Sequence, residues 1–147
     1  MDTNPQDPHS VKRAIHHDRV RKDHAQETAQ DYVEAIAELT YENGVARVGA
    51  LADYFGVSHV TVSKTISRLQ RDGLVITRKW HPVELTEAGL KLARQSKKRH
   101  EIVLAFLRSL GIDEETAQHD AEGIEHHVSP KTLEVFSRLT RERGGRD

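Results

Sequence analysis

Apolar residues recur at three-to-four spacing from Glu27 onward, where Tyr32, Ile36 and Leu39, with Val33 and Ala37 beside them, predict a helix that stops at Asn43 and Gly44. A second, short helix fits residues 48–55, closed by Gly56. Ser58 suits the N-cap of a third, which runs to about Asp72 with Val62, Ile66 and Leu69 facing inward and Gly73 behind it. Residues 74–77 read as a strand, Arg78, Lys79, Trp80, His81 and Pro82 as a tight basic turn, and residues 83–86 as the return strand. Residues 87–110 predict a long helix and residues 112–128 another, capped by Asp113, with Glu114 and Glu115 suited to its positive end. Ser129 and Pro130 open a last helix in cap-then-proline order, carrying Leu133, Phe136 and Leu139 before the glycines at 144 and 145.

Two helices joined by a short glycine-containing turn and followed by a two-stranded wing form a winged helix-turn-helix. A small three-helix domain that never meets DNA shares this geometry. The wing and the surplus of Arg and Lys between residues 45 and 85 favour phosphate contact. On the third helix, His59, Thr61, Ser63 and Lys64 point away from the inward face and would enter a major groove, Thr61 with its methyl or hydroxyl and Lys64 as a donor to guanine. Arg68 and Arg71 suit phosphates, as do Arg78 and Lys79 in the wing. For each of these residues a solvated or phosphate role stands beside base readout. The three C-terminal helices cannot bury all their apolar residues within one subunit, so a homodimer is expected, and two-fold symmetry is what reading a palindrome requires. The expected architecture is mainly α: a flexible N-terminal arm (1–26), a winged helix-turn-helix DNA-binding domain (27–93) and a helical metal-binding and dimerisation domain (94–147).

Composition narrows the class. With 147 residues, 36% of them apolar, the chain can form one core or two small lobes. Its net charge of −1 conceals a basic stretch from Lys91 to Arg108 followed by an acidic one from Asp113 to Glu125. The absence of cysteine excludes disulfides and thiolate metal sites. No run approaches the ~18 apolar residues of a membrane span, and no hydrophobic signal region opens the chain, so a cytoplasmic protein with no membrane contact is expected. Residues 1–26 are polar, with Pro5, Pro8 and mixed charge, and read as disordered when alone. Their His9, His16, His17 and His24 read as solvated side chains.

The candidate chemistry lies in three segments. Glu122, Glu125 and His126 stand at i, i+3 and i+4, which on a helix puts two carboxylates and an imidazole on one face, half of a divalent-cation site. Asp31 and Glu34 stand at i, i+3, and His100 interrupts the apolar stripe of Val103, Leu104 and Leu107. One Glu or His on a helix is usually solvated; three segments together argue for a metal sensor. His119 and His127 read as surface or packing residues. Oxygen and imidazole donors without sulfur suit Mn(II), although zinc or copper can bind such a set more tightly. A dinuclear metallohydrolase would need an open coordination position and a substrate cleft, and no phosphate-cradling or oxyanion motif accompanies these residues. An enzyme is therefore not expected, nor an organic small-molecule substrate. A metal-independent winged-helix repressor is the other rival, and metal dependence of DNA binding separates the three.

The run Asp31, Tyr32, Val33, Glu34, the winged helix-turn-helix ending Arg71, Asp72, Gly73, Leu74, Val75, the triplet Arg99, His100, Glu101, and the stretch from Asp120 to His127 together resemble the diphtheria-toxin-repressor family over residues 27 to about 141. Its manganese-responsive members are the nearer match. The resemblance implies a manganese-responsive repressor of manganese uptake genes that binds palindromic double-stranded operator DNA as a metal-activated homodimer. It carries over Asp31, Glu34, His100, Glu122, Glu125 and His126 as ligands of two neighbouring Mn(II) ions per subunit, with Fe(II), Co(II) or Zn(II) as surrogates. Iron-responsive members place methionine and cysteine where this chain has Asp31 and Glu122, and an iron-responsive regulator is the alternative within the family. The family's ancillary site is incomplete here, because Leu104 stands where a carboxylate is expected. The implied mechanism is electrostatic: Asp31 and Glu34 repel Glu122 and Glu125 until a cation ties the two lobes and fixes two recognition helices about 34 Å apart.

Overall fold

The computed structural model describes residues 8–144, which form α1 (Pro8–Asn43), α2 (Val48–Phe55), α3 (His59–Arg71), β1 (Val75–Ile76), β2 (Glu84–Leu85), α4 (Glu87–Ser109), α5 (Glu114–Ile124) and α6 (Pro130–Gly144). Local chemistry sets most of these boundaries. Ser58, Thr86 and Asp113 each accept a backbone N–H in the first turn of α3, α4 and α5, at 3.1, 3.1 and 3.0 Å. Each such cap satisfies a donor the helix cannot, typically worth about 1 kcal/mol. Gly56 takes a left-handed φ of 65° to end α2 and swing the chain into α3. A side chain at Gly89 would overlap the Leu74 carbonyl, so glycine there lets α4 start against the wing.

Two cores result. Tyr32, Ile36 and Leu39 of α1 pack with Leu51, Val62, Ile66 and Leu69 and with Val75 and Val83 of the wing, while Phe55 stacks on Tyr32 at 4.4 Å. The wing pairs Val75 with Leu85 and Ile76 with Glu84 in antiparallel register, and an Ala46–Val83 bridge ties it to the loop after α1. The second core joins Val103, Leu104 and Leu107 of α4 with Ala117, Ala121 and Leu133, and Phe106 stacks on Phe136 at 4.2 Å. Each fully buried aliphatic side chain contributes about 1.5–3 kcal/mol. Helix α4 contributes to the second core and also touches α1 and β2, so it links the two lobes. The metal segments meet beside it.

Three expectations need correction. Residues 8–26, expected as a flexible arm, are the first half of α1, and that half is almost wholly exposed. Helix nucleation is the costly step, and the packed segment from Tyr32 to Leu39 supplies it. Extension through Lys12, Arg13, Ala14 and Arg19 is then easy, helped by the i,i+4 pair Asp18–Lys22 at 3.0 Å. Residues 1–7 of the expected arm lie outside the described residues. The second correction concerns α5, which stops at Ile124 rather than running to Val128. Glu125 and His126 therefore sit in the turn beyond it. Arg99 of α4 supports this turn: its Nε and Nη2 donate to the carbonyls of Glu125 and Val128 at 2.9 and 2.8 Å, satisfying acceptors that the end of the helix leaves open. The strands are also shorter than expected, two residues each.

Candidate metal centre and nucleic-acid interface

Helix α1 presents Glu27, Asp31 and Glu34 along one face, at i, i+4 and i+7. His126 from the turn after α5 is buried against it, with Nε2 3.1 Å from Asp31 Oδ1 and 3.4 Å from Glu125 Oε1. Its other nitrogen, Nδ1, lies 2.6 Å from Oε1 of the buried Gln30. A carbonyl oxygen only accepts, so Nδ1 donates to Gln30 and Nε2 faces the carboxylates: protonated, it donates to Asp31, and deprotonated, its lone pair is free for a cation. His100 of α4 reaches Glu125 Oε2 with Nδ1 at 2.7 Å and Gln118 Oε1 with Nε2 at 3.3 Å. All six expected ligands, Asp31, Glu34, His100, Glu122, Glu125 and His126, line one cleft. Glu122 is the exposed member of the set, and its charge acts on Glu125.

The electrostatics show what the cleft lacks. Burial, followed by the charges of Glu125 and Asp31, pushes the Glu34 carboxyl up to about 7. Its Oε1 is buried with no hydrogen-bond partner among the described residues. Burial also raises Glu125, against the pull of His100 and His126. For His126, burial acts downward, but the hydrogen bond and charge of Asp31, helped by Glu125 and Glu27, lift it above the ordinary histidine value. Acidic groups held above their usual range, one with an orphaned oxygen, fit a cation, and carboxylates with imidazoles fit a hard or borderline one. Sequence reading missed two neighbours. Gln30 carries no signal in periodicity, whereas Glu27 could have been found as the residue one turn before Asp31. The ligand atoms of Glu27, Asp31 and His126 all lie within 4.8 Å of one another.

The exposed face of α3 forms a shallow groove lined by His59, Val60, Ser63, Lys64, Ser67, Gln70 and Arg71. His59, Ser63 and Lys64 lie where expected. Thr61 is exposed but its hydroxyl pairs with Ser58 Oγ at 2.9 Å, so it serves the helix start. Arg68 is turned away from this groove, half-buried with Nη2 enclosed, because its position falls on the flank beside the Ile66–Leu69 core stripe. Arg78 and Lys79 are exposed in the wing. Beside them Trp80, not anticipated, is 86% exposed at a left-handed φ of 70°, which bulky residues rarely adopt, with Lys79 Nζ 5.5 Å from its ring centre.

Residues 24–81 match the family model for the iron dependent repressor N-terminal DNA binding domain, and residues 86–142 that for the iron dependent repressor metal binding and dimerisation domain. Over 128 residues the chain is 45% identical to the transcriptional regulator MntR of Escherichia coli O157:H7, covering 87% of this chain and 83% of that protein. The chain belongs to the diphtheria-toxin-repressor family. Another member, the HTH-type transcriptional regulator MntR of Bacillus subtilis (strain 168), is 38% identical over 110 residues, 75% of this chain and 78% of its own length. Among solved structures, the manganese regulator SloR superposes with a TM-score of 0.67 at 26% identity, over 77% of this chain and 53% of that one. A manganese-dependent transcriptional repressor in complex with manganese gives 0.65 at 30% identity, over 76% and 52%. The chain spans about half the length of these two solved structures. A DNA-binding domain followed by a metal-binding and dimerisation domain is the diphtheria-toxin-repressor arrangement, and the family consists of transcriptional regulators rather than enzymes. No helix among the described residues is long and apolar enough to cross a membrane.

Proposed function

We propose that the chain is a manganese-responsive transcriptional repressor that binds operator DNA as a metal-activated homodimer. The observation that carries this reading is the join between lobes: His126, beside the second core, meets Asp31 on α1, the helix that also anchors the DNA-binding core. Relatives named as manganese regulators support the choice of ion, as do carboxylates at Asp31 and Glu122 in place of sulfur donors. Asp31, Glu34, His100, Glu122, Glu125 and His126 would hold two Mn(II) ions per subunit, with Fe(II), Co(II) and Zn(II) as surrogates. Bound there, a cation supplies the positive charge that the cluster lacks. The chain's own residues do the rest. Repulsion among Glu34, Asp31 and Glu125 works against close approach of α1 and the turn after α5, so neutralising it favours the closed join.

The α3 groove residues His59, Ser63 and Lys64 would face the bases of a palindromic operator, with Arg71, Arg78 and Lys79 on phosphates. Helix α6 buries Leu133 but leaves Val135, Phe136 and Leu139 only half-buried, which suits a two-fold contact between helical lobes. The protein would act where the DNA is, in the cytoplasm. The test is a titration of chelator-treated protein with Mn(II), Fe(II) and Zn(II), read by anisotropy of labelled duplex DNA from upstream of manganese uptake genes. Mn(II) is expected to tighten binding by roughly 5–150-fold, the usual span of allosteric coupling. Equal affinity in chelator and in Mn(II) would overturn the reading.

A further inference from the structure

We propose that Glu27 is a seventh ligand of the metal centre, and that Glu27, Asp31 and His126 hold one divalent cation between them. The proposal rests on the metal-responsive reading above and extends it to a residue outside the six ligands that the family resemblance carries over. Glu27 lies one helical turn before Asp31 on α1, so both carboxylates point to the same side. Its carboxylate, that of Asp31 and an imidazole nitrogen of His126 lie within 4.8 Å of one another. Donors about 2.2 Å from one ion stand about 3 Å apart when adjacent and at most about 4.4 Å when opposite, so small side-chain rotations close the set. Two half-buried carboxylates and a buried imidazole, oriented by Gln30, balance the charge of one divalent ion.

Glu27 has a second neighbour, which defines the rival role. Its Oε2 lies 3.3 Å from His127 Nε2, so it could instead hold the turn after α5 through that histidine. A ligand and a positioning group differ in what removal of His127 does. The exposed imidazole of His127 is dispensable to a ligand and necessary to a positioning contact.

The experiment follows loss of the free Mn(II) electron paramagnetic resonance signal as the ion is titrated into full-length protein, comparing wild type, Glu27→Gln, His127→Ala and Asp31→Asn. Glu27→Gln is expected to weaken one class of bound ion at least tenfold, as Asp31→Asn does, with helical circular dichroism in chelator unchanged and the His127→Ala isotherm within twofold of wild type. A wild-type isotherm for Glu27→Gln would overturn the proposal. An equal loss in His127→Ala would also overturn it, making Glu27 a positioning residue. Should Glu27→Gln lose helix content, Glu27→Asp keeps the charge but withdraws the oxygen by one methylene. Several-fold weaker binding in that variant supports direct ligation, and an unchanged isotherm refutes it. If wild type itself leaves the Mn(II) signal undiminished, the metal reading fails with it. That outcome is distinct from a failure confined to Glu27.

Discussion

Glu34 shows how one residue can couple metal, proton and stability. Its folded-state value of about 7 lies above the ordinary 4.5, because burial and the neighbouring charges of Glu125 and Asp31 oppose ionisation. The unfolded chain therefore releases this proton first. The group is neutral to stability where both states are protonated, destabilises progressively as pH rises from about 4.5 to about 7, and keeps that penalty above. His126 acts in the same direction: its raised value contributes stability below the ordinary histidine range, which is lost as pH climbs through the folded value. The metal-free protein should thus gain from Glu34→Gln at about pH 8 and gain less at about pH 5. Thermal melts in chelator check this, with roughly 2–4 °C expected for each kcal/mol recovered. A gain independent of pH would mean that the carboxyl titrates normally.

At the scale of elements, the wing and α3 separate positioning from readout. Lys79 and Arg78 are exposed at the turn between β1 and β2, whereas the α3 groove offers His59, Ser63 and Lys64. Lys79→Ala is therefore expected to weaken specific and non-specific duplexes alike and to lower the slope of log affinity against log salt by about one unit. The same titration can be followed through Trp80, the sole tryptophan of the chain, whose exposed ring should become less accessible to a soluble quencher when DNA covers the wing. An unchanged salt slope together with unchanged quenching would remove the wing from the interface. The elements themselves were largely legible in sequence. Ser58 and Asp113 act locally as caps, and the α2 and α3 boundaries follow from Gly56, Ser58 and the Val62–Ile66–Leu69 stripe. The exposed half of α1 was not legible, because composition alone does not reveal that a packed helix continues into it.

For the whole molecule, the consequence lies in the path between the lobes. Glu125 touches His100 on α4 and His126, which touches Asp31 on α1, so one buried carboxylate stands at the junction of the dimerisation lobe and the DNA-binding lobe. Its carbonyl is held separately by Arg99, so loss of the side chain leaves the turn supported. Glu125→Ala should accordingly keep its fold and oligomeric state by circular dichroism and sedimentation, yet bind operator DNA with an affinity that no longer depends on Mn(II). A variant that still responded at the wild-type Mn(II) midpoint would place the coupling elsewhere.

The sequence alone determined what depends on near neighbours along the chain: helix periods, caps, the glycine stops, the wing, and the residue types of a sulfur-free metal set. These follow from backbone geometry and from side chains three or four positions apart. Tertiary structure decided what depends on the meeting of distant segments. Gln30 orients His126 across 96 positions, Arg99 holds the turn after α5 from a different helix, and Glu27 joins Asp31 and His126 only because α1 lies against that turn. The raised value of Glu34 has the same origin, since burial and opposing charge exist only once the lobes have packed. Periodicity records which face a residue shares with its own helix; the partner that arrives on that face, and at what distance, is fixed by packing.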